Sequence, residues 1–389
     1  MKRSFLTILS LALVAVLVLC TAACSNNESE KETDEAVLSP NANENVYEST
    51  TGSFEYALND EGKCEITKYN PSSVAVVDVK LPEVIDGRDI VGVAADAFKA
   101  ENSIKSVTIP ATYTYINDYA FYDCDSLETV TFEGNNITDI GMGAFEGCAK
   151  LASINLPKSV VTVGSFAFKE CVSLVSVDLS GSLKTISEGA FFGCSALKTV
   201  ALADSVEYVV KNAFYGCSAL EYTTYDNAKY LGNSANPHLV LVSVSDLNVD
   251  ECKVNDSTVL IASQAFAGCK YLSSLTLGDK VSVISASCFE GCSELTYTES
   301  ENGLYLGSEA NPYMVLMGLA VPSVEDFTLN SATKILCDAA FNNCAALADI
   351  HFAGTVAEWE AIVKTDTWHN GRTVRVVFAD ETVEPIIYN

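Results

Sequence analysis

The sequence predicts a β-rich solenoid of about 23-residue coils, capped at both ends and interrupted by two inserted hairpins. Three observations predict it. Phenylalanines 98, 121, 145, 168, 191, 214, 266, 289 and 341 recur at spacings of 23 or 24, with two gaps of 52. In the last eight a Cys follows three residues later and a Leu six residues later, as in Phe191, Cys194 and Leu197. Five residues before each Phe stands an aliphatic side chain, from Val93 and Ile116 through to Ile284 and Leu336. A coil this short cannot bury its apolar side alone, and stacking at roughly 4.8 Å per coil solves that problem.

Within each coil, the residue before the Phe is small: Ala in eight coils and Cys288 in one. Nine and eleven residues after the Phe come pairs such as Val130 and Phe132, Ile154 and Leu156, or Val177 and Leu179. Their period of two predicts a short strand with one face inward. The period itself falls in the 20 to 29 residue range of leucine-rich repeats.

Residues 52–90 read as an N-terminal cap, with Phe54 to Leu58 and Cys64 to Tyr69 flanking the turn signal Asn59-Asp60-Glu61-Gly62. The repeat region is expected over 91–352. Its first coil has Glu101 in the Cys slot, as suits an atypical terminal repeat. The two long gaps are copies of each other: Tyr230-Leu231-Gly232 with Asn236-Pro237, and Tyr305-Leu306-Gly307 with Asn311-Pro312. Each predicts a hairpin, near 222–250 and 297–325, with Asn-Pro in its turn. Thr223 and Thr298 replace the usual aliphatic just before them, which predicts altered strand pairing there. After each hairpin the strand positions resume at Cys252 and Val254, then at Phe327 and Leu329. Residues 353–389 read as a C-terminal cap, with a short helix carrying Trp359, Ile362 and Val363 and a strand from Thr373 to Phe378. Trp359 is expected as a core plug.

At Ile140, Ala144, Phe145, Cys148, Leu151, Ile154, Leu156 and Pro157 the chain resembles the BspA-like leucine-rich repeat proteins of bacterial surfaces. The resemblance covers about residues 52–380. It implies a secreted or surface-anchored protein, and several relatives are regarded as adhesins. A fold does not carry a ligand with it.

The N-terminus reads as a targeting segment. Lys2 and Arg3 precede an apolar run from Phe5 to Leu19, and Thr21-Ala22-Ala23 precedes Cys24. This looks like a lipoprotein signal over residues 1–23, with Cys24 as the lipidated residue and the lipid as the only membrane contact. Residues 24–51, rich in Ser, Asn and Glu, read as a flexible tether. Removing residues 1–23 takes away two basic residues and no acidic one, leaving 21 against 51 and a net charge of −30. That balance opposes nucleic acid and anionic lipid surfaces as partners.

Chemistry-bearing motifs are not expected. Cys124, Cys148, Cys171, Cys194, Cys217, Cys269, Cys292 and Cys344 sit at equivalent interior positions, so they read as buried thiols behaving as small hydrophobes. Cys64 lies outside the repeat and is unassigned. No C-x-x-C pair occurs, and the three histidines lie in separate segments, so no metal site or cofactor is expected. No phosphate loop or nucleophile motif is present, and no catalytic residue is assigned.

The remaining surface is the outward side of the strands, a Ser/Thr stripe that changes character toward the C-terminal half. The candidate binding face there comprises Tyr222, Thr224, Ser274, Thr276, Tyr297, Glu299, Asp349 and His351. The tyrosines are the expected anchors, because they supply contact area at modest entropy cost. The expected protein is a monomeric, non-enzymatic, lipid-anchored surface protein that binds an extracellular protein or glycan. A structural component of the cell envelope is the alternative.

Overall fold

The coils of the N-terminal block place apolar residues on two parallel strand ladders, and the phenylalanine of each is buried in the core they share. The computed structural model describes residues 46–389 except 285, 338–339, 365–367, 370, 381–382 and 389. The signal segment, most of the tether and Cys24 therefore lie outside the described residues. Among the described residues no helix is long and apolar enough to cross a membrane.

The ladder expected nine residues after each Phe is present. Strands Val77–Lys80, Ile104–Ile109, Thr129–Phe132, Ser153–Ile154, Ser176–Leu179 and Thr199–Leu202 pair in parallel. Val107, Val130, Ile154, Val177 and Val200 meet in register. A second parallel ladder stands at the aliphatic position before the Phe, which the sequence reading had not given strand character. It runs through Arg88–Val93, Tyr115–Ile116, Asp139–Ile140, Thr162–Val163, Thr185–Ile186 and Tyr208–Val209. Most of its strands are two residues long, too short to show alternation in the sequence.

Between the ladders the phenylalanines form a stack. Rings 98, 121, 145, 168, 191 and 214 follow one another at centroid spacings of 4.7, 5.3, 5.4, 5.3 and 5.6 Å, nearly parallel. The spacing is that of neighbouring strands or slightly wider, so the ladder pitch brings each ring into contact with the next. The small residue before each Phe is equally buried, because its C=O accepts from the Phe of the coil before: Phe191 N–H donates to Ala213 O at 2.9 Å.

The Cys slot does more than fill space. Cys124 Sγ donates to Phe98 O at 3.1 Å, and Cys148, Cys171, Cys194 and Cys217 repeat this bond to the Phe of the coil before. The same carbonyl already accepts the N–H three residues on in its own coil, as Glu101 N–H donates to Phe98 O. The thiol thus occupies the second lone pair of a buried acceptor. The first coil has no Phe coil before it, which explains Glu101 in that slot.

Caps close both ends with aromatic rings. The hairpin of Gly52–Leu58 and Cys64–Pro71 sets Tyr69 on Phe98 at 5.6 Å and Phe54 on Tyr69 at 5.1 Å. Cys64 is buried in this cap. Val46–Glu48, read from composition as the end of the tether, instead pairs antiparallel with Gly52–Leu58, and Tyr47 packs near Phe54. Two apolar residues in a polar stretch are enough to extend a sheet edge. At the far end the helix Val356–Ala361 has a capping box between Thr355 and Glu358 and buries Trp359 completely. Its Nε1–H donates to Tyr388 Oη at 2.8 Å. The helix stops before Val363, which is extended and bridges Ile335.

The long gaps hold three-stranded meanders rather than simple hairpins. Thr223–Tyr225 leaves the parallel ladder and pairs antiparallel with Ala228–Leu231, which pairs with Val240–Val244 across the turn containing Asn236-Pro237. Val240–Val244 then pairs in parallel with Leu260–Ile261, so the meander supplies a rung of the ladder it interrupts. Glu251–Lys253 pairs in parallel with Ser274–Thr276, placing Cys252 inward as expected. The second gap repeats the pattern with Thr298–Ser300, Gly303–Leu306, Val315–Leu319 and Ile335–Leu336.

The first meander also divides the core. Leu231, Val240 and Leu260 belong to the N-terminal cluster, while Tyr230, Leu241 and Ile261 belong to the C-terminal one. Alternation along a strand sends successive side chains to opposite faces. This small sheet is therefore buried on both sides and stands as a partition between two cores.

Candidate functional site

The outward side of the ladder following each Phe is as polar as its sequence. Thr129, Ser153, Ser176 and Thr199 are exposed while Val130, Ile154, Val177 and Val200 between or beside them are buried. In the C-terminal half the candidate residues divide into three places.

Ser274, Thr276 and Tyr297 line one crevice of about 280 Å³, with Thr298, Ser308 and Glu309 completing its polar wall. Glu299 and Thr224 are exposed on strands that have left the parallel ladder.

Asp349 and His351 lie on Asp349–Phe352, whose neighbours are Asp326–Leu329 and Val374–Phe378. Asp326, Asp349 and His351 bring one ligand atom each within 4.8 Å of one another. His351 Nε2 is 3.6 Å from Asp326 Oδ1. Arg375, the cross-strand partner of Asp349, takes that carboxylate with both Nε, at 2.8 Å, and a terminal nitrogen. Its hydrogen bond holds the Asp349 carboxyl below the usual carboxylate range. The arrangement is an ion-paired patch in which a guanidinium already fills the position a cation would take.

Tyr222 and Tyr297 are not outward anchors. Both are half-buried and pack against the core clusters, and burial pushes the Tyr222 hydroxyl up to about 12 and that of Tyr297 up as well. The cause is the departure of Thr223–Tyr225 and Thr298–Ser300 from the ladder. Thr223 and Thr298 supply no inward aliphatic, and the preceding tyrosine turns toward the space this leaves. Sequence reasoning had noted both threonines but extrapolated the outward register across them.

Sequence reasoning also missed an aromatic edge at the turns around the Phe. Tyr119 and Tyr122 meet edge-to-face at 5.7 Å, with the Lys99 ammonium 5.7 and 5.5 Å from their ring centres. Phe192 and Tyr215 stack at 5.2 Å, and Tyr215 is 65% exposed. Glycines give these rings room: a Cβ on Gly143 or Gly189 would come within 2.5 or 2.4 Å of the Tyr119 or Phe166 ring, and both have positive φ. These residues follow no strict period, so only their positions beside each Phe could have signalled them.

No disulfide joins the thiols among the described residues, and they are buried, Cys292 less fully than the rest. Burial pushes Cys252 up to about 12 and Cys269 up to about 11, and raises Cys171 further. Such thiols are poor nucleophiles and poor metal ligands.

The repeat geometry and its Phe–Cys–Leu spacing define a leucine-rich repeat solenoid. The family model for the BspA type leucine rich repeat region matches in six copies, over residues 91–221, 244–310 and 319–362, and the chain belongs to this family. Families of this kind are typically non-enzymatic.

Several solved structures are similar. A leucine rich cell surface protein from Faecalibacterium prausnitzii A2-165 is 23% identical, with 82% of this chain and 98% of that one covered and a TM-score of 0.39. A leucine-rich repeat protein from Bacteroides ovatus ATCC 8483 is 20% identical over 86% and 100%, with a TM-score of 0.36. The leucine rich repeat protein of T. pallidum is 27% identical over 62% and 87%, with a TM-score of 0.35. No curated protein matches the chain.

Proposed function

We propose that the protein is exported, held at the outer face of the bacterial cell by a lipid on Cys24, and presents its solenoid to an extracellular protein or glycan. The observation that carries this reading is the repeat itself. A stack of coils in a family with a rigid apolar interior offers a long polar face, regular from coil to coil, whose natural use is contact with another macromolecule. The basic, apolar and small-residue succession before Cys24 supports export and lipidation. One acyl-anchored cysteine followed by a polar stretch would hold the repeat region clear of the membrane.

Binding rather than catalysis is the role that this composition favours. The exposed residues Thr224, Ser274, Glu299 and His351, with the half-buried Thr276 and Asp349, make up the proposed face, and Tyr297 lines its crevice.

Protease treatment of intact cells tests display: loss of the repeat region while cytoplasmic proteins survive is the expected result. Full protection would instead favour a structural role inside the envelope. For the anchor, Cys24→Ser should release the protein from the membrane fraction. Unchanged fractionation would point to an uncleaved segment from Phe5 to Leu19.

A further inference from the structure

The phenylalanine stack stops at Phe214, and the next coil does not close over it. Phe214 stacks on Phe191, but the ring of the following coil, Phe266, stacks forward on Phe289. Between the two coils lies a crevice of about 380 Å³, floored by Phe214 and Val242 and opening beside Tyr215. It falls within the range of small-ligand pockets.

Two properties of its lining select a ligand. In a chain with 51 acidic and 23 basic residues, every side chain lining this crevice is uncharged. Six are polar: Asn212, Tyr215, Tyr222, Ser243, Ser263 and Gln264. None of the six has a hydrogen-bond partner for its side chain among the described residues. Asn212 and Gln264 sit at positive φ, 59° and 64°, at equivalent turn positions on either side of the gap. The same turn position has positive φ in the other coils, as at Asp96, Tyr119 and Phe166, so the repeat turn itself sets both amides at the mouth of the crevice. Free amides and hydroxyls over an apolar floor ask for a neutral ligand rich in both donors and acceptors. An ion would be desolvated here without a counter-charge.

We propose that this crevice binds one residue of a neutral glycan, with the adjoining sugar units running along the exposed Tyr215 ring and the half-buried Phe192 ring stacked on it. A pyranose has the required chemistry. Its C–H face packs on an aromatic ring and its hydroxyls pair with amides and hydroxyls. The Tyr222 hydroxyl, like any phenol at physiological pH, is protonated and so a donor as well as an acceptor. A peptide fits less well. Backbone groups around the crevice are already paired, Ser263 N–H to Val209 O at 3.0 Å and Ala262 N–H to Leu241 O at 2.9 Å, so the wall offers little edge for strand addition.

The inference rests on the binding reading above and narrows it to one ligand class and one place. The test uses the full chain, purified without its lipid, against mannan, galactan and β-glucan as neutral probes, heparin as a charged glycan and gelatin as a peptide probe. Two variants accompany it: Tyr222→Phe, which removes one hydroxyl and keeps the ring, and Ala267→Trp, which fills the half-buried mouth of the crevice. Melting curves of both should match the parent.

The expected result is binding to at least one neutral glycan, weakened about tenfold by Tyr222→Phe, or roughly 1.4 kcal/mol, and abolished by Ala267→Trp. Absence of neutral glycan binding overturns the inference, as does glycan binding that both variants leave unchanged. Gelatin binding blocked by Ala267→Trp, without glycan binding, overturns the ligand class. None of these failures touches the cell-surface reading, which protease treatment of intact cells tests separately.

Discussion

Replacing Phe191 by Ala should be among the most damaging single changes in the protein. The ring is fully buried between Phe168 at 5.3 Å and Phe214 at 5.6 Å, within 5° of parallel to both. Removing it loses the transfer free energy of a phenyl ring and two stacking contacts. The gap cannot collapse, because Phe168 N–H to Ala190 O and Phe191 N–H to Ala213 O, at 2.8 and 2.9 Å, fix the separation of the coils. Phe→Ala in a core costs about 3–5 kcal/mol, and ring pairs add about 0.5–1.5 kcal/mol each, which places this site near 5 kcal/mol.

Phe214 is the internal control. It has one stacked neighbour, is 6% exposed and already borders a crevice, so Phe214→Ala belongs near 3 kcal/mol. Chemical denaturation followed by far-ultraviolet circular dichroism measures both. A Phe191→Ala change below about 1 kcal/mol, or a larger loss at Phe214 than at Phe191, would refute the stack as the source of stability.

Both tryptophans, Trp359 and Trp368, lie in the C-terminal core cluster, so Phe191→Ala should lower the dichroism midpoint more than the tryptophan-fluorescence midpoint; equal shifts would mean that the partition does not separate the cores. The ladder thiols should react with a thiol reagent slowly when folded and quickly in denaturant, and a mass map of unreduced protein should contain no disulfide-linked ladder peptides. Asp349→Asn should cost stability at neutral pH and progressively less in acid. Arg375 depresses the folded carboxyl, so its stabilisation is present above the unfolded value of about 3.9 and disappears as pH falls through the folded one. A parent–variant difference that stays constant from pH 7 down to about pH 2 would contradict this.

Periodicity made the stack legible because a ring every 23 residues can have few other meanings. The same periodicity left the ladder at Ile116, Ile140 and Val163 unrecognised, since one aliphatic residue per coil carries no alternation. The thiol-to-carbonyl bonds were equally hidden, because a small buried residue and a small buried donor look alike in sequence. Around the two long gaps the reading got the hairpin and its Asn-Pro turn. It did not find that Val240 and Leu241 serve as a rung, nor that alternate residues there face different cores. The candidate face suffered most. Tyr222 and Tyr297 were placed outward by counting from the Phe, and the count fails where Thr223 and Thr298 break the ladder. The crevice depends on where two coils fail to meet, a relation between Phe214 and Gln264 that no local pattern carries.

The thiol bonds bear on how such a chain can lengthen. A 23-residue unit copied in tandem brings with it both a donor for the coil before and an acceptor for the coil after, so the new junctions are chemically identical to the old ones. Duplication inside the N-terminal block is therefore nearly neutral to the fold, and so is deletion of a whole unit. The first coil after each meander lacks this freedom: Cys269 and Cys344 make no bond to a preceding Phe carbonyl among the described residues, whereas Cys292 Sγ again donates to Phe266 O at 3.1 Å. Those joints fit one neighbour only, and copy-number variation should accumulate upstream of them, between Phe121 and Phe214.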